Sequence, residues 1–276
     1  MTRAAYVLGA ALAWAAIGVA TGAGASQASI ANARTETRSA ARGLAAEITS
    51  IVDGGATLWI GYQVPLVPPR TESRSSNGRC CGQCRLAPPT ELLVLVRVAD
   101  RALAELRASV VDCDVDAGGM TLVWLNDVRP DDSVAWLASL LAKAPSATSP
   151  PSAVARGALT AVALHAAPSA PAALITIARA DSRPELRGQA LFWLAQRAAA
   201  EARPAIAEAI ERDPDIDVKT RAVFALSNLP SDESVPLLIE LARTNRNTEV
   251  RRQAMFWLGQ KKDPRALAFF EQVLLK

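Results

Sequence analysis

The sequence predicts an α+β domain followed by an all-α solenoid of helix pairs. Three observations lead there: a repeat over the C-terminal half, strand-like alternation over the N-terminal half, and a proline- and serine-rich stretch between them. The repeat carries most weight. Ala158, Ala190, Ala222 and Ala254 are evenly spaced (190 − 158 = 32, and likewise onward), each within a matching block: ARGALTAVAL, RGQALFWLAQ, KTRAVFALSN and RRQAMFWLGQ. Leu186, Val218 and Val250 share one phase, Phe192, Phe224 and Phe256 a second, and Leu194, Leu226 and Leu258 a third. A fixed period over this length means stacked supersecondary units, because one unit alone cannot bury its apolar face.

Within a unit, Leu186, Ala190, Trp193, Leu194 and the aliphatic stem of Arg197 recur at helical spacing. A second apolar block follows each time: PAALITIA, PAIAEAIE, PLLIELAR and ALAFFEQVLL. Pro171, Pro204 and Pro236 stand at or near the start of these second helices, where a missing N–H costs little. The unit is therefore helix, turn, helix, and residues 153–276 hold about four of them. Glu185, Asp217 and Glu249 occupy the first turn of successive first helices, facing the positive end of the helix dipole. Two positions later come Arg187, Lys219 and Arg251. The six are expected to form a structural ladder between neighbouring units. The aromatic series Phe192/Trp193, Phe224 and Phe256/Trp257 is read as the stacked interface between units.

The run EVRRQAMFWLGQKKDPRALAFFEQVL resembles the short bacterial HEAT-like repeats, also found in phycobilisome-lyase-like proteins: V-R-x-x-A-x-x-x-L-G, then D-P-x-A, then a second helix. The likeness covers about the C-terminal half. Its first unit, residues 154–180, departs by carrying Thr160 and Ala161 where later units have Phe-Trp or Phe-Ala, and is read as a cap. VVDCDVDAGGMTLVWL and WIGYQVPLV resemble the N-terminal region of exported bacterial HEAT-repeat proteins. The resemblance implies an architecture and a binding or scaffold role, without chemistry.

Arg3, an apolar run over residues 4–20 and the small residues Ala23-Gly24-Ala25 predict a signal peptide over 1–25. The expected location is periplasmic or extracellular, with membrane attachment only if that segment is kept as an anchor. Residues 26–143 read as an α+β domain around a small antiparallel sheet. The expected parts are a helix over 40–52, strands over 57–67, 91–99, 104–111 and 120–126, and a helix from Pro130. Asp100-Arg101 lies between two of the strands as in a hairpin. Residues 144–152 (APSATSPPS) read as a linker.

Cys80, Cys81, Cys84 and Cys113 all fall in the N-terminal half. In an exported chain they are disulfide candidates, with connectivity open. Cys81-x-x-Cys84 also has zinc-ligand spacing, so a metal-dependent or redox enzyme built on the cysteines and nearby aspartates is the alternative. Asp112, Asp114 and Asp116 resemble a calcium loop, but Ala117 and Val123 stand where an EF-hand needs glycine and glutamate, leaving a glycine turn as the simpler reading. His165 is the only histidine, and no nucleophile–base or phosphate-loop motif occurs. An oxidoreductase or lyase label could reach the chain only through repeat similarity.

A formal charge of +3 over 276 residues gives no electrostatic footprint for nucleic acid. The expected function is thus a non-catalytic protein-interaction or scaffold protein of the bacterial envelope, without cofactor, binding a protein or peptide. The binding candidates are Arg179, Glu208, Glu211, Glu240 and Arg243, at repeating phases of the second helices, which are expected to line the concave side of the solenoid.

Overall fold

A computed structural model of the chain describes residues 30–68, 90–110, 115–142 and 151–275. The predicted signal peptide, the four cysteines and most of the predicted linker lie outside the described residues. The N-terminal half runs β1 (Ile30–Ala31), β2 (Arg34–Ser39), α1 (Leu44–Asp53), β3 (Leu58–Pro65), β4 (Glu91–Ala99), β5 (Ala102–Val110), β6 (Val115–Asp116), β7 (Thr121–Asn126) and α2 (Pro130–Ala142).

The main sheet has the order β2-β7-β3-β4-β5. It is mixed, which corrects the antiparallel expectation: β3, β4 and β5 form an antiparallel meander, whereas β7 lies between β2 and β3 and runs parallel to both. Such a parallel arrangement requires crossovers, and α1 supplies the one from β2 to β3. β2 escaped the sequence reading because all six of its residues are exposed, so RTETRS carries no apolar alternation. Asp100 and Arg101, with φ of 52° and 55°, make the tight turn that joins β4 to β5. The first helix starts at Leu44 rather than Ala40, because Gly43 breaks the chain direction with φ 125°. Gly118 and Gly119, also at positive φ, turn the chain from β6 into β7, and Asp116 accepts the Gly118 amide at 2.7 Å.

Both faces of the sheet are covered, which is why β4 reads as a continuous apolar run. One face packs Trp59, Leu93, Leu95 and Leu122 under Ile30, Ala33, Val115, Ala117 and Met120. On the other, Ile60, Tyr62, Val94, Val96 and Leu106 meet the helices. Tyr62 and Ser133 of α2 share a buried hydrogen bond of 3.0 Å, and burial pushes the Tyr62 phenol up.

The second half is four helix pairs: α3 (Ala153–Leu164) with α4 (Ala170–Ala180), α5 (Pro184–Arg197) with α6 (Ala199–Arg212), α7 (Ile216–Ser227) with α8 (Ser231–Thr244), and α9 (Thr248–Gly259) with α10 (Pro264–Leu274). Ser152, Asp215, Asn247 and Asp263 cap helix starts with side-chain oxygens. Pro171 sits in the first turn of α4, but Pro204 and Pro236 lie inside α6 and α8. Those two helices begin five residues before their prolines (204 − 199 and 236 − 231) and do without one backbone bond each. The aromatic series does cross units: Phe192 stacks on Phe224 at 5.7 Å, and Phe224 meets Trp257 at 4.7 Å.

The two halves share one hydrophobic core, and α3 is the reason. It packs on β5 beside α2 as a helix of the sheet's layer, and on α4 and α5 as the first helix of the stack. Gly157 lets it come close: a Cβ there would lie 2.8 Å from the Leu106 carbonyl carbon, and closer still to its oxygen. Thr160 stands where the later units carry phenylalanine, in a helix that packs on the sheet. The first unit is therefore covered by the sheet rather than ending in solvent, and no cut at the predicted linker would separate two independent cores.

The junction is closed around His165, the C-cap of α3. The Val67 and Ala166 amides bond the carbonyls of Leu164 and Pro65 at 2.9 and 2.8 Å. Arg197 donates to the carbonyls of Val162, Ala163 and His165 at 3.0, 2.9 and 2.8 Å. His165 is fully buried; its Nδ1 accepts the Ala167 amide and its Nε2 has no partner. Burial, then the nearby Arg197 charge, lowers its pKa to about 4. The unfolded chain binds this proton near 6.5 and the folded chain only near 4, so stability falls as pH drops through that window. His165→Asn, which keeps an acceptor for Ala167, is expected to remove roughly 3 kcal/mol of this pH dependence. Urea midpoints at pH 7 and pH 4.5, variant against parent, measure it.

Candidate interaction surface

The second helices α4, α6, α8 and α10 each place a polar residue against the next one along the stack. Arg179 of α4 bonds Glu208 of α6, Nε to Oε2 at 2.9 Å. Arg243 of α8 bonds Gln272 of α10, Nη2 to Oε1 at 2.6 Å, with its guanidinium 5.3 Å from the Phe269 ring. The rung between them is Glu211 of α6 with Glu240 of α8, at the same offset (208 − 179, 240 − 211 and 272 − 243 are all 29). It contains no cation. Among the described residues the Glu211 carboxylate accepts only from the Asn245 side-chain amide, at 3.3 Å, and Glu240 is in no ion pair.

A groove lies at each of the first two rungs. The α4/α6 groove, about 280 Å³, is lined by Ala178, Ala205 and Ala209 with Arg179, Glu208 and Arg212. The α6/α8 groove, about 180 Å³, is its equivalent one repeat later, with Ile210, Leu237 and Leu241 in the places of the three alanines. Arg203 and Ile206 line it too. The five predicted binding residues thus fall on three rungs of one surface. Gln272 and Arg203 were not among them; an offset three short of the repeat would have found Gln272, which an eye for charge passes over.

The predicted ladder is arranged differently from expectation, because the acids do not pair with the bases. Glu185 accepts from Gln189 at 3.1 Å, Glu249 is held by Arg252, and Asp217 gives its backbone carbonyl to Thr220. The bases turn away from their own helices to close the loops before them. Lys219 donates to the carbonyls of Ile210 and Glu211, both at 2.8 Å, at the end of α6. Arg251 reaches those of Asn245 and Arg246. These are helix C-termini, where orphan carbonyls and the negative dipole end attract a cation.

Arg187 alone of the three bases also forms an ion pair: its Nε and Nη2 take both oxygens of Asp213, the C-cap of α6, at 2.8 and 2.9 Å, and Nη1 bonds the Asp181 carbonyl at the end of α4 at 2.9 Å. Both side chains are over nine-tenths buried. Burial opposes the charge on Asp213, but Arg187 and the Asp215 amide outweigh it and hold the carboxyl below its usual range. A second buried pair, Arg183 with Asp181 at 2.7 Å, also reaches the Leu141 carbonyl of α2. These contacts are structural. Among the described residues no group of three or more His, Cys, Asp or Glu is placed to hold a metal ion, and no helix is long and apolar enough to cross a membrane.

Residues 171–255 match the HEAT repeats family, and residues 250–276 match the PBS lyase HEAT-like repeat. No curated protein matches the chain. The matched stretch coincides with α4 to α10, stacked at a period of 32 residues behind a strand-containing half. The helical solenoid is built of HEAT repeats, and an α+β domain stands ahead of it in the chain.

Proposed function

We propose that this chain is a non-catalytic scaffold of the bacterial cell envelope that holds a protein or peptide on the second helices of its solenoid. The observation that carries the reading is the pair of equivalent grooves at α4/α6 and α6/α8, rimmed by residues of mixed charge. Repeat stacks offer extended surfaces of this kind, and alternating sign selects a partner by complementarity rather than attracting a polyanion. Export rests on the basic, apolar and small-residue order of residues 1–25.

A photoreactive residue in place of Ala207, which is exposed and lines the α6/α8 groove, is expected to give discrete adducts in cells. The same group in place of Glu36 on β2 should give none. Equal adducts from both, or none from Ala207, would remove the groove as the binding surface. N-terminal sequencing of the protein recovered from the envelope is expected to begin at Ser26.

A further inference from the structure

We propose that the α6/α8 groove receives an aliphatic side chain of a partner protein, while Glu211 and Glu240 bind a lysine or arginine beside it in the same segment. This rests on the reading above and names the partner's chemistry. The stack supplies its own comparison. At the first rung an arginine meets a carboxylate, and at the third an arginine meets an amide oxygen, so both are closed within the chain. At the middle rung the position of Arg179 is taken by Glu211, which lines the same groove as Glu240. The cation that the flanking rungs contain is missing from this one alone.

The groove floor changes in step with the rim. Ile210, Leu237 and Leu241 replace Ala178, Ala205 and Ala209, so the rung that lacks a cation is the one with an aliphatic lining. Arg203 also lines the groove, but it precedes Glu211 by eight residues, about 12 Å along a helix, and among the described residues forms no ion pair with either acid. Lys219, the nearest basic side chain in sequence to α7's start, is committed to the Ile210 and Glu211 carbonyls. Two carboxylates over hydrocarbon are short of the six to eight oxygens a calcium ion takes, and an apolar floor adds nothing for an ion. They suit a basic side chain, whose N–H groups make charge-assisted bonds, next to a hydrophobic residue that fills the floor.

The test uses the full chain and two synthetic peptides, acetyl-Leu-Arg-Leu-amide and acetyl-Leu-Glu-Leu-amide, followed by NMR of isoleucine and leucine methyl groups. The arginine peptide is expected to shift Ile206, Ile210, Leu237 and Leu241, and the glutamate peptide to leave them unmoved. Glu211→Arg, which lets position 211 pair with Glu240 as Arg179 does with Glu208, is expected to weaken the arginine peptide at least tenfold without lowering the thermal midpoint. Equal shifts from both peptides, no shifts from either, or undiminished binding in Glu211→Arg would each overturn the proposal. Adducts from position 207 that persist in Glu211→Arg would do so too, while leaving the solenoid as a binding surface; loss of all adducts in the parent chain would count against the broader reading instead.

Discussion

Gly157→Val is expected to cost the protein about 3 kcal/mol or more, since it forces atoms into backbone that cannot yield. The nearest obstacle is the peptide group of Leu106 in β5, which is fixed by pairing with Val96 in β4. To make room, α3 must lift off the sheet, exposing Leu106 and the apolar residues around it. Two glycines serve as controls. A Cβ at Gly188 would meet the Arg221 side chain at 2.5 Å, a flexible chain on an exposed residue, so Gly188→Ala should cost far less. At Gly259 nothing lies within 4 Å, and alanine there should be close to neutral. Urea unfolding, monitored by the tryptophans of the sheet and those of the solenoid, should show one transition in the parent. In Gly157→Val the two are expected to separate; a single transition with an unchanged midpoint would contradict the assigned packing.

The second large effect is expected at Arg187. Truncation to alanine leaves the Asp213 carboxylate buried without its bidentate partner, and also orphans the Asp181 carbonyl. Losing one member of a buried pair costs about 3–5 kcal/mol, whereas an apolar pair of matching volume is often tolerated. Arg187→Met with Asp213→Leu should therefore be more stable than Arg187→Ala alone. Because the depressed carboxyl of Asp213 contributes stability above its unfolded pKa and loses it as pH falls, the double variant should also be less sensitive to acid. Calorimetry of the two variants and the parent at pH 7 and below pH 3 checks both statements, since the contribution is lost only below the unfolded carboxyl pKa of 3.8. If Arg187→Ala changes the midpoint no more than a surface substitution, the ion pair is not fixing α5 against the end of α6.

Where the sequence repeats, it could be read: a position recurring every 32 residues says that neighbours bury it, and Ala158, Ala190, Ala222 and Ala254 are all fully buried. β4 was legible to its ends because an apolar run bounded by a charged turn has few other uses. Strand β2 was not, since an exposed edge obeys no alternation, and with it went the parallel half of the sheet. The prolines misled for a different reason: Pro204 and Pro236 recur near the helix starts, but tertiary packing extends both helices over them. On the interaction surface the five charged candidates were visible by phase. Their pairing was not, because a rung joins residues of different helices at an offset that no single helix displays.

That α3 belongs to both halves sets how the molecule can move. A bead-on-string scaffold presents its partners at variable distance, and its reach is a property of the linker. Here the last residues of the predicted linker already start a helix, with Ser152 as its cap, and that helix is clamped by strand and solenoid alike. Whatever the second helices hold is carried at a fixed angle to the sheet, as a bracket carries a load, and flexing has to come from the small slips between successive pairs. Of the described pairs, α9 with α10 lies farthest along the stack from the clamp, so its position relative to the sheet sums the most slips.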